Sequence, residues 1–320
     1  IFTNSPLTIC IYTLILYSAP IKSIIPDLRL SPIFFSCHLF YRMIQLQCDF
    51  NYLFFEKVSK IQGGMSVNDI SIQAHDLTKD FGDYRAVDHI NLDIKSGEIY
   101  GFLGPNGAGK TTTIRMLTGT LSPTKGDISI LGLPMSKSEL AIKAQIGVVP
   151  DEPKIYEGLR GREFLDFIIG IYRLKEEEVL PKIEELSAAF SVDYLDDYIG
   201  DYSHGMSQKL MLISVLMRHP KVMFLDEPTV GLDARAARIL KDLLNKYADE
   251  GATIFITTHV LEVAEKMCHR IGIIDNGKLI AEGTLEELQR LSHEGYTSLE
   301  DLFLELTGNE DVKDVVEALQ

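Results

Sequence analysis

Apolar and polar positions alternate over Ile70-Ser-Ile-Gln-Ala74 and again over Ile90-Asn-Leu-Asp-Ile94. A period of two puts successive side chains on opposite faces, so both stretches predict half-exposed strands, with a turn at Gly82-Asp83. Short unbroken apolar runs follow at 99–103, 146–149, 222–225, 253–256 and 271–274, and 127–131 reads as a strand after Pro123 and Gly126. Such runs, bounded by turn residues, predict strands buried on both faces. Helical spacing is read over 113–117, 162–172, 175–190, 205–218, 234–248 and around 261–267. Pro181 predicts a kink or break in one helix, because its ring removes a backbone N–H and crowds the preceding turn. Strands alternating with helices predict an α/β fold with a mainly parallel sheet covered on both faces. The helix-only stretch 152–201 reads as an insertion.

Residues 1–64 differ in character. They hold 11 of the 28 Phe and Tyr residues, and Cys10, Cys37 and Cys48. The apolar run 7–19 is short for a span of about 20 residues, and 33–55 is interrupted by His38, Arg42 and Asp49. Three readings are open: a membrane-associating extension, a poorly ordered appendage, or residues from an over-extended reading frame. The start at Ile1 and the shift at Met65 favour the third. Beyond position 64 lie 26 basic and 43 acidic residues, a net of −17. That charge opposes nucleic-acid binding, which depends on neutralising phosphates. Cys268, the one cysteine there, excludes a disulfide framework and a thiolate metal site in this part and reads as an inert buried thiol.

Gly104 to Thr112 reads Gly-Pro-Asn-Gly-Ala-Gly-Lys-Thr-Thr, between the apolar run 99–103 and the helical run 113–117. Strand, glycine-rich loop and helix, with Gly104, Gly109, Lys110 and Thr111 at this spacing, predict a phosphate-binding loop. A polyphosphate needs many N–H donors at one point, which requires close backbone approach. Lys110 supplies a charge near the outer phosphates, and Thr111 a hydroxyl for magnesium. The run 222–225 then delivers Asp226 and Glu227 to a strand's carboxyl end, where ligands bind in open α/β sheets. Asp226 is expected to hold magnesium through its hydration shell and Glu227 to orient and deprotonate a water.

The phosphate loop, Phe-Leu-Asp-Glu-Pro-Thr (224–229), Gly231-Leu232-Asp233 and Thr257-Thr258-His259 stand in the order found in ATP-binding-cassette ATPases. The resemblance runs from residue 68 to about 307. Ile146-Gly-Val-Val-Pro-Asp-Glu-Pro153, Tyr202-Ser-His-Gly-Met206 and Ser298-Leu-Glu-Asp-Leu-Phe-Leu-Glu-Leu-Thr-Gly308 narrow it to the ATPase subunits of bacterial ABC-2-type exporters. It implies a P-loop NTPase, ABC-cassette fold: a mainly parallel sheet core, an antiparallel β subdomain and an inserted helical subdomain. The expected divisions are 65–151 and 205–285 for the core, 152–204 for the helical part and 286–320 for a helical tail.

By the same resemblance, ATP and Mg2+ are the cofactors. Gly104, Pro105, Asn106, Gly107, Ala108, Gly109, Lys110, Thr111 and Thr112 form the phosphate loop, and Phe81 stacks on adenine, against the alternative of a strand-end core residue. Ser203 and Gly205 match the segment that faces the γ-phosphate held by a second subunit, and Asp233 matches a loop crossing that interface. His259 matches the histidine contacting the γ-phosphate. Asp151 stands where most relatives place a glutamine that senses magnesium and couples to the membrane subunit. Tyr202, His204 and Met206 depart from the usual Leu, Gly and Gln.

The implied partners are an integral membrane permease subunit, whose helix the insertion receives, and a second ATPase subunit, homo- or heterodimeric, at the cytoplasmic face of the membrane. No nucleic acid is expected. Two further readings are a soluble cassette protein acting on ribosomes or DNA, opposed by the acidic charge, and a regulatory nucleotide module, opposed by the full set Lys110, Thr111, Asp226, Glu227 and His259.

Overall fold

The computed structural model describes residues 70–291 and 299–307, within a unit spanning Asp69–Gln320. The expectations for 1–64, and those for Ser298, Gly308 and most of the tail, lie outside the described residues.

Two sheets organise the chain. In the first, β1 (Ile70–Phe81) and β2 (Tyr84–Lys95) form a hairpin, and β4 (Lys125–Ile130) and β5 (Leu133–Pro134) extend it antiparallel in the order β2-β1-β4-β5. The second contains β3 (Ile99–Leu103), β6 (Ile146–Val149), β7 (Val222–Asp226), β8 (Thr253–Thr258), β9 (Arg270–Asp275) and β10 (Lys278–Gly283). Its order is β10-β9-β3-β8-β7-β6, all pairings parallel except β10 with β9. The expected α/β class, mainly parallel core and antiparallel sheet are therefore present. The helices are α1 (Lys110–Leu117), α2 (Met135–Lys143), α3 (Gly161–Tyr172), α4 (Glu176–Phe190), α5 (His204–Leu216), α6 (Ala234–Asp249), α7 (Leu261–Met267), α8 (Leu285–Leu291) and α9 (Leu299–Leu306).

The apolar runs are continuous because both faces of their sheet are buried. Met223 and Leu225 of β7 join a core with Leu165, Leu212, Leu240 and Leu244 of the helices. Val222 and Phe224, one step out of phase, join a core with Ile72, Val87 and Ile94 of the first sheet and Ile114 of α1. Phe255 centres this second core, with its ring centroid 5.6 Å from Tyr100, 5.4 Å from Phe102 and 5.9 Å from Phe224.

Helix α4 runs through Pro181 unbroken, contrary to the kink or break expected from the sequence. Pro181 sits in the second turn on the exposed side, where its missing N–H forfeits one bond. Val179, Ile183, Leu186 and Phe190 meanwhile anchor the opposite face in the core. Strand β10 and helix α2 have no counterpart in the sequence reading. The signal for β10 is Asn276-Gly277, with φ 44° and 79°, the left-handed pair that a two-residue hairpin turn requires.

Candidate functional site

Strand β3 is fully buried and ends where its chain must turn closely over β9. A Cβ on Gly104 would lie 2.4 Å from the Ile274 carbonyl oxygen, and one on Gly109 would lie 2.5 Å from that of Ala86. Gly107, at φ 84°, has open space beside it instead. Two glycines thus serve packing, and the third leaves the loop's backbone accessible. The first intrahelical bond of α1 runs from Thr113 N–H to the Gly109 carbonyl at 2.9 Å. The N–H groups of its first turn, at Lys110, Thr111 and Thr112, are those a helix leaves without intrahelical partners. Lys110 is buried, its Nζ donating to the Gly104 carbonyl at 2.7 Å and the Pro105 carbonyl at 3.1 Å. Burial pulls its pKa down, against the upward pull of Glu227, Asp226 and Asp151.

Asp226 and Glu227 leave β7 buried, at 4% and 6% exposure. Asp226 is the register partner of Thr257 on β8, and the Thr257 hydroxyl donates to its Oδ1. Glu227 N–H donates to the Thr257 carbonyl at 3.0 Å, and Glu227 Oε1 lies 2.7 Å from His259 Nδ1. The residue holds φ 49°, in the left-handed region. Glu227 Oε2 is buried with no partner. Asp151 follows β6. Partial burial raises its pKa first, then the charges of Asp226 and Glu152, with His204 and His259 opposing.

These groups meet in one cavity of about 300 Å³. It is lined by Asn106, Gly107, Gly109, Lys110, Thr111, Thr112, Asp151, Asp226 and Glu227, together with Phe81, Tyr84 and Ala86. Phe81 is 49% exposed, which excludes a core role, and Lys79 Nζ lies 5.2 Å from its ring centroid. Tyr84, absent from the sequence reading, is its register partner across the turn. Gly104, Pro105 and Ala108 shape the loop but do not line the cavity; Ala108 is buried, its carbonyl accepting from Gly277 N–H at 3.0 Å.

Ser203, Gly205 and Asp233 do not line this cavity. Exposed Ser203 caps α5, its Oγ accepting from Met206 N–H at 3.2 Å. A Cβ on Gly205 would lie 2.3 Å from the Gly231 carbonyl oxygen, so α5 begins in close contact with the loop before α6. His204 packs over Gly231 on the same loop, where a Gly231 Cβ would lie 2.6 Å from its ring. Asp233 caps α6 through Ala236 N–H at 2.8 Å and pairs with Lys209 at 3.0 Å. The Ala236 bond, then Lys209, holds its carboxyl below the usual range. The expected site residues therefore form two groups, one around the cavity and one at the start of α5 and α6.

The cavity's donors suit magnesium, a hard cation that takes oxygen ligands and keeps several waters. Thr111 brings a hydroxyl, and Asp226, Glu227 and Asp151 bring carboxylates. Among the described residues no three or more His, Cys, Asp or Glu gather into a metal cluster.

A family model described as ABC transporter matches residues 87–230. The probable multidrug ABC transporter ATP-binding protein YbhF of Escherichia coli (strain K12) is 39% identical over 222 residues, covering 69% of this chain and 38% of that protein. The chain thus spans well under half the length of that relative. The bacitracin transport ATP-binding protein BcrA of Bacillus licheniformis is 40% identical over 223 residues, 68% of this chain and 71% of that protein. A solved ATP-binding subunit of an ABC transporter superposes with a TM-score of 0.71 at 31% identity, covering 74% of this chain and 99% of that one.

Proposed function

This chain belongs to the ABC transporter family of ATP-binding proteins, and we propose that it hydrolyses ATP to drive a separate membrane subunit of an exporter. The observation that carries the proposal is the single cavity in which the phosphate loop, Asp226 and Glu227 meet.

In this reading ATP lies along the cavity with its base against Phe81 and its phosphates over the first turn of α1. The N–H groups at Lys110 to Thr112 donate to the phosphates. Lys110 exchanges its bonds to the Gly104 and Pro105 carbonyls for a charge-assisted bond to the outer phosphates. Thr111 and Asp226 would hold magnesium, which when bound would neutralise charge developing on the transferred phosphoryl group. Glu227 Oε2 accepts a hydrogen from the attacking water, while His259 fixes Oε1. Asp151, between the carboxylates and the helical insertion, relays occupancy to 152–204, which receives a helix of the membrane subunit.

Ser203, Gly205 and Asp233 do not line that cavity on their own chain, which supports a role for them outside it. They act on ATP held by a second ATPase subunit, and the α5 N-terminus supplies donors for an anion. Among the described residues no helix is long and apolar enough to cross a membrane. In this reading the pore is another chain and this one works at the cytoplasmic face. The exporter assignment draws on the relatives named for multidrug and bacitracin transport. Co-reconstitution of the full chain with its membrane subunit tests the reading: ATP turnover abolished by Glu227→Gln is expected, and a complex without turnover contradicts it.

A further inference from the structure

The end of β8 holds both carboxylates that β7 delivers. The Thr257 carbonyl accepts from Glu227 N–H at 3.0 Å, and His259 Nδ1 lies 2.7 Å from Glu227 Oε1. The Thr257 hydroxyl, in turn, reaches Asp226 Oδ1. Thr257 is completely buried, and Asp226 is 4% exposed.

We infer that Thr257 is a positioning residue for the divalent cation: its hydroxyl fixes Asp226 Oδ1 and so presents the other carboxylate oxygen to the cation's hydration shell. This rests on the nucleotide reading above. A hydroxyl has one hydrogen to donate. The Leu225 carbonyl, at 3.5 Å, is the more distant acceptor, so the hydrogen goes to the carboxylate. Threonine is branched at Cβ and stiff about χ1, so the strand itself aims the donor. Direct pairing of Asp226 with Thr257 across the parallel strands sets the reach. A carboxylate oriented in advance need not be ordered when the cation arrives. Without the hydroxyl, a buried oxygen of Asp226 is left unpaired and the carboxylate can turn. Thr258 has a different task, its Oγ accepting from Val260 N–H at 3.0 Å in the turn after His259.

The test compares Mn2+ binding, by electron paramagnetic resonance, to the full chain with a non-hydrolysable ATP analogue in the parent, Thr257→Val and Thr257→Ser. Analogue binding is also measured in EDTA. Valine keeps the shape and lacks the donor, so Mn2+ affinity should fall by about 10- to 100-fold, the usual effect of losing a group that orients a metal ligand. Serine should restore it to within about threefold of the parent, and analogue binding in EDTA should stay within about twofold throughout. Parent-like Mn2+ affinity in Thr257→Val, or a Thr257→Ser as weak as Thr257→Val, would overturn the inference while leaving nucleotide binding intact. Failure of the parent to bind the analogue would overturn the nucleotide reading and this inference together. Should Thr257→Val not fold, Thr257→Cys takes its place, because a thiol is a weak donor. It should lose at least about threefold in Mn2+ affinity, and none lost would count against Thr257.

Discussion

His259 Nδ1 lies 2.7 Å from Glu227 Oε1, and Glu227 Oε2, buried beside it, has no hydrogen-bond partner. This contact occupies Oε1. A buried acceptor left open costs about 1–3 kcal/mol, and a non-glycine residue held at positive φ costs a similar amount. Both penalties fall on Glu227, which is the pattern of a group held ready for a water molecule.

Glu227→Gln keeps the shape but cannot take a proton. Turnover should fall by about 10² to 10⁴-fold with ATP affinity little changed. His259→Ala should lower turnover by on the order of 10²-fold through misplacement, and the double variant should be no slower than Glu227→Gln alone. Steady-state ATPase rates and equilibrium ATP binding check all three. A Glu227→Gln variant as fast as the parent removes Glu227 as the base.

Lys110→Ala removes the charge from the phosphate end of the cavity. One charge-assisted bond is worth about 1.5–3 kcal/mol, so the Kd for ATP should rise by about 10- to 150-fold. Calorimetric or fluorescence titration of ATP reads this directly, and an unchanged Kd would place the phosphates elsewhere.

Phe81→Ala deletes an exposed ring. Stacking contributes about 1–3 kcal/mol per base, which predicts a Kd for ATP raised about 5- to 150-fold with turnover at saturation retained. Loss of turnover with unchanged affinity would exclude base stacking.

Asp151 carries a raised pKa in the folded protein. A raised value means that the folded state holds the proton more tightly than the unfolded chain. Stability is therefore lost as pH rises from the ordinary carboxylate range through the raised value. Asp151→Asn should match the parent in the acid range and become the more stable of the two as pH approaches neutrality. Thermal melts without nucleotide from pH 4 to about 7.5 check the sign.

Most of the strands were legible because burial on both faces leaves continuous apolar runs, as at Ile99–Leu103 and Ile146–Val149. Strand β10 was not, because residues 278–283 alternate weakly at a half-exposed edge, and its real signal lies in the Asn276-Gly277 turn. Pro181 misled because exposure and tertiary anchoring decide whether a proline breaks a helix. At the site, Lys110, Asp226 and Glu227 were readable from residue type and spacing. Tyr84 and the Thr257 hydroxyl were not, because their places depend on strand pairing across 3 and 31 positions. The same holds for the packing roles of Gly104, Gly109 and Gly205, which a spacing pattern cannot separate from phosphate contact.

In the proposed mechanism, Ser203 and Gly205 of a second subunit complete the site whose other half is the cavity around Lys110. Light-scattering mass of the full-length Glu227→Gln protein, with and without Mg2+ and ATP, tests it most directly. The mass should double only when both are present, and adding either Lys110→Ala or Ser203→Arg should abolish the doubling. A protein that binds ATP and Mg2+ fully yet keeps the mass of one chain would contradict it.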